Sequence, residues 1–135
     1  MNIRPLLTAL LTLAAFFILS CKDTVNDQNV NDIVFPASGV SYGKQVEPLF
    51  FRGCAFTSCH DAGDQAGGLS LETYQDLRTA VPSVVNSLRD TGCLLIWSVE
   101  GAHGFQRMPP PPFSALNANQ INGLKQWVLE GAQNN

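Results

Sequence analysis

The heptapeptide Cys54-Ala55-Phe56-Thr57-Ser58-Cys59-His60 puts two thiols and an imidazole between an apolar segment and a polar, glycine-rich one. Both sulfurs can act on one object only if they face the same way. On a regular helix, at about 100° per residue, five steps leave them roughly 140° apart. Residues 55 to 58 must therefore bulge, and His60 is carried wherever the second sulfur is fixed. Gly53, just ahead, offers a permissive backbone at the entry.

A cysteine pair followed at once by histidine is the pattern of haem c attachment. Its usual form is C-x-x-C-H, with both sulfurs bonded to the haem vinyl groups and the histidine on the iron. The spacing here is C-x4-C-H. On this reading Cys54 and Cys59 form the thioethers to one haem c and His60 is an axial ligand. The same donors allow another reading, a lipid-anchored structural or interaction module with a Cys54–Cys59 disulfide. In a variant of it, Zn2+ is held by some of Cys54, Cys59, His60, Cys93 and His103. Against zinc, adjacent Cys59 and His60 are an awkward chelating pair, and the interval from Cys93 to His103 lacks the paired spacing of zinc folds.

The N-terminus has its own signature. Arg4 is followed by Leu6 to Leu19, apolar except for Thr8 and Thr12 and short for a membrane span. Residues 1–20 read as a signal peptide. Ile18-Leu19-Ser20-Cys21 is similar to a lipobox, which makes Cys21 the lipidated first residue of an exported lipoprotein on the periplasmic side of the envelope. Lys22-Asp23 resembles outer-membrane sorting signals. Residues 21–37, rich in Asn and Asp at first, form a flexible tether, and 38–135 form the domain. Loss of Arg4 takes the formal charge from −3 to −4, which argues against nucleic acid as a partner.

Within the domain, Tyr42, Val46, Leu49 and Phe50 share a helical face that Pro48 interrupts. Residues 61 to 68 form a loop without regular structure. Ser70 is placed to cap a short helix with a Leu71, Tyr74 and Leu77 stripe, ended by Val81-Pro82. Residues 88 to 92 form a turn, and Cys93 to Trp97 is assigned to helix. Asn117 and Gln120 fit a capping box across a Leu116–Ile121 staple, with Ile121, Leu124, Trp127 and Val128 on one face, Leu129 widening it and Gly131 ending it. Trp127 packs in the core or touches a cofactor edge. The fold class is all-α.

The pieces recur in an order that resembles the planctomycete-type single-haem cytochrome c family. They are Val46-Glu47-Pro48-Leu49-Phe50, Cys54 to His60, Gly67-Gly68-Leu69-Ser70-Leu71 with Tyr74, Leu94-Leu95, Met108-Pro109-Pro110, and Trp127-Val128-Leu129-Glu130-Gly131-Ala132. The resemblance runs from about Ser41 to Ala132. It implies a small helical domain wrapped around one haem, with His60 and Met108 as the two axial ligands of the iron, and a haem attached outside the cytoplasmic membrane. Cys93 and His103 have no role in that pattern. His103 is the alternative sixth ligand; four prolines hold the backbone after Met108, whereas Gly101 and Gly104 flank the His103 loop. The implied activity is one-electron transfer to a redox protein partner, and no hydrolytic set of side chains competes with it.

Overall fold

Residues 29–80, 83–85 and 92–135 are described by the computed structural model. The expected leader, Cys21, residues 22–28 of the tether, Val81-Pro82 and most of the turn at 88 to 92 lie outside the described residues. Those residues are all-α, with no strand.

A π-helical turn, Tyr42–Val46, leads into α1, Glu47–Gly53. Pro48 sits in the first turn of α1, where its missing N–H has no intrahelical partner to lose. The irregular winding is thus confined to its N-terminal side. Tyr42, Val46, Leu49 and Phe50 are all buried, which is the face expected from their spacing. Next in the chain comes α2, Tyr74–Thr79. Its cap is Thr73, whose Oγ1 accepts from the Asp76 amide, and not Ser70 as expected. Ser70 lies before it and donates its hydroxyl to the Asp76 carboxylate at 3.1 Å. The acidic residue three positions after a threonine was the better cap signal.

The Cys93 to Trp97 run enters a helix as assigned: α3, Leu94–Glu100, buries Leu95, Ile96 and Val99 and stops at Gly101, whose φ of 65° takes the left-handed conformation. The last helix, α4, spans Ala118–Leu129 with the expected capping box, both reciprocal bonds between Asn117 and Gln120 measuring 3.0 Å. Leu124, Trp127 and Val128 are fully buried. Leu129 does not widen that face: it is 41% exposed. Trp127 is a core residue, its ring 5.8 Å from that of Tyr42 and its indole N–H donated to the Gln133 carbonyl.

The packed unit begins before residue 38. Ile33 and Phe35 belong to the core, and the Phe35 backbone is clamped at both its N–H and its C=O by the side-chain amide of Asn119. Buried Gln120 donates to the Val30 carbonyl. The Phe35 ring lies on Gly123 so closely that a β-carbon added there would fall 2.1 Å from it. The apolar residues of this segment have no period; what seats Phe35 is the missing side chain of a glycine nearly ninety positions on. At the other end, Asn135 binds the 41 to 43 turn, and Tyr74 donates its hydroxyl to Ala132. Together these ties hold α1, α2 and α4 as a frame behind the Cys54 to His60 bulge.

Candidate functional site

The bulge forms where α1 runs out. Cys54 leaves helical geometry, and the chain returns six residues later with the His60 amide donating to the Cys54 carbonyl at 3.1 Å. Inside this loop Ser58 has a φ of 70°. The left-handed residue is therefore Ser58; Gly53, expected to supply freedom, is an ordinary last residue of α1 packed near Val30. The Asp64 carboxylate accepts from the Ser58 amide, which offsets some of that strain. Residues 61 to 68 are mostly irregular as expected, apart from a single 3-10 turn at Ala66–Gly68.

His60 is held at three points. Besides the bond to Cys54, its carbonyl accepts from the Leu71 amide at 2.8 Å, and its Nδ1 lies 3.1 Å from the Leu69 carbonyl. A carbonyl oxygen only accepts, so Nδ1 must carry the proton. In the neutral ring that leaves the lone pair on Nε2, the nitrogen free to bind a metal. The sequence contained Leu69, but not this role for its carbonyl.

A cleft opens beside the imidazole, with about 570 Å³ of empty space, part of it continuous with solvent. Its walls come from four places: Phe50 and Cys54 at the end of α1; His60, Leu69 and Leu71; Val84 with Leu94, Leu95, Ser98 and Val99 around α3; and Met108 with Leu116. Burial pushes the Cys54 thiol up to about 12, and the nearby Cys59 adds to the shift. Met108 is placed by its own amide, which donates to the Ser98 carbonyl at 2.8 Å.

Three of the expected site residues, Cys54, His60 and Met108, thus line one cleft. Cys59 does not line it and sits half-buried on the bulge next to His60. His103 is exposed, its ring 4.8 Å from that of Trp97, and it is not among the lining residues. Cys93 is buried at the start of α3, also off the cleft. Cys54, Cys59 and Cys93 are all free thiols. Among the described residues no three His, Cys, Asp or Glu side chains converge as a metal-binding group.

The donor set suits haem: a fixed imidazole with Nε2 free, a thioether, and a thiol at the edge of an apolar cleft. These are the groups that hold a c-type haem. The family model described as planctomycete cytochrome C matches residues 57–112. The match takes in Cys59, His60 and Met108, and it begins three residues after Cys54. Residues 57–112 thus resemble a planctomycete-type cytochrome c domain, a family that implies covalently bound haem c. No curated protein and no solved structure matches the chain significantly.

Proposed function

We propose that the chain is a one-electron carrier, a membrane-tethered c-type cytochrome with a single haem. Haem, when bound, supplies the one-electron couple. Cys54 and Cys59 would hold it by thioethers, and His60 Nε2 and Met108 Sδ would ligate its iron. The observation that carries this reading is the Nδ1 to Leu69 bond, because it fixes both the tautomer and the orientation of the imidazole before any iron arrives.

The chain's own residues set the rest. The apolar walls from Phe50, Leu69, Leu71, Leu95 and Val99 would keep water from a bound haem iron and so disfavour its more highly charged ferric state. A thioether donor acts in the same direction and raises the potential. With His60 and Met108 both engaged, no position remains for a substrate, so transfer rather than turnover is the activity that fits.

Among the described residues no helix is long and apolar enough to cross a membrane. The tether in this proposal is lipid on Cys21, after export and removal of residues 1–20. It places the domain on the periplasmic side of the envelope, at the outer membrane, facing a redox protein partner. Spectroelectrochemical titration of the matured protein tests the reading. A single one-electron Nernst curve at positive potential supports it; a haem with an open sixth position that turns over peroxide would contradict it.

A further inference from the structure

The loop between the cysteines is two residues longer than the usual attachment loop, and one of its residues, Phe56, reaches the segment that carries Met108. The Phe56 ring packs on that of Phe113, with centroids 5.7 Å apart and planes inclined at 56°. Phe113 ends the proline segment that starts with Met108. Phe56, Pro109 and Phe113 also line a second cavity next to Arg52 and Leu116. Phe56 is itself fixed, because its amide donates to the Cys54 carbonyl and its carbonyl accepts from Cys59. At the near end of the segment, the Met108 amide is tied to Ser98; at the far end, the Phe113 amide donates to Pro110 and its carbonyl accepts from Arg107. The Met108 segment is thus anchored to α3 on one side and, through the Phe56–Phe113 ring pair, to the cysteine bulge on the other.

We propose that Phe56 is a positioning residue: its contact with Phe113 clasps the Met108 segment against the Cys54 to His60 bulge and holds the thioether in its ligating place. The proposal rests on the haem reading above. An aromatic pair of this kind changes an equilibrium by roughly 2- to 10-fold. If the clasp opens, the fraction of molecules with Met108 withdrawn rises by that factor. A ligand that binds iron only when Met108 has withdrawn then gains apparent affinity by the same factor.

Carbon monoxide titration of the ferrous, haem-loaded full chain reads this directly, beside hydrogen exchange at the Met108 and Phe113 amides. Phe56→Ala should bind carbon monoxide about 2- to 10-fold more tightly than the native protein, with faster exchange at both amides. Phe113→Ala should match it, and the double variant should add little to either. Phe56→Tyr, which keeps the ring, and Phe105→Ala, whose ring packs on Trp97 instead, should stay native. Should Phe56→Ala not fold, Phe113→Ala carries the test, since its side chain is 48% exposed. Native affinity in Phe113→Ala, with Met108→Ala binding more tightly than native, would overturn the clasp and leave the ligand reading standing. Native protein that already binds as tightly as Met108→Ala would overturn both.

Discussion

Nδ1 of His60 donates to the carbonyl oxygen of Leu69 across 3.1 Å, and this bond fixes the imidazole in the wall of the cleft with its other ring nitrogen left as the acceptor. It joins the cysteine bulge to the far end of the loop that follows. The imidazole is thereby oriented by backbone rather than by a carboxylate, and it lines one cleft with Met108.

Met108 should be the second axial ligand and His103 should not. Ferric protein should show the weak red charge-transfer band of sulfur ligation. Met108→Ala should abolish that band and lower the reduction potential, while His103→Ala leaves both unchanged. The reverse pattern would move the ligand to His103 and require the Trp97-stacked loop to swing into the cleft.

Gly123→Ala should destabilise the fold severely. The added carbon would lie 2.1 Å from the Phe35 ring, and neither partner can retreat, because Asn119 holds the Phe35 backbone on both sides. Overpacking of this kind costs about 1–3 kcal/mol or more. Urea unfolding should show the loss, and Phe35→Ala in the same chain should recover part of it. Asn117→Ala provides a milder reference, about 1 kcal/mol for a lost cap.

Stability should fall at both ends of the pH scale for identifiable reasons. Burial, with Glu47, Asp76 and Tyr74 nearby, pushes the Tyr42 phenol from 10 to about 12. Its contribution is therefore complete below pH 10 and lost as pH rises toward 12. Among the described residues the Tyr42 hydroxyl has no hydrogen-bond partner, so Tyr42→Phe should keep the stability and flatten the alkaline limb. Glu130 is shifted the other way, below its ordinary 4.5, by bonds from Gln126 and the Gly39 and Val40 amides. Its contribution is present above pH 4.5 and lost as pH falls through the lowered value. Glu130 is only half-buried, so solvent screening should keep this limb shallow; thermal melts of the native protein and Tyr42→Phe from pH 2 to 12 would show both limbs.

These residues also show how far sequence reasoning reaches. The face of Tyr42, Val46, Leu49 and Phe50 and the Asn117 cap were readable because each is decided by neighbours within one or two turns. The bulge was readable because helix geometry forbids the alternative. Cys54, His60 and Met108 were brought together by resemblance and then found on one cleft. What could not be read was non-local: Phe35 seated on Gly123, the Leu69 carbonyl behind His60, and Phe56 against Phe113. Each is a contact between segments with no periodic pattern. Ser70 was mistaken for a cap although Thr73 and Asp76, the better pair, were in view.

The measurement that bears most directly on the account is the intact mass and pyridine haemochrome spectrum of the protein made with haem c maturation machinery. The account predicts the mass of one added haem that survives denaturation, with the haemochrome of two thioether bonds, and loss of one bond in Cys54→Ser or Cys59→Ser. A chain of unmodified mass with Cys54 and Cys59 as free thiols or as a disulfide would contradict it.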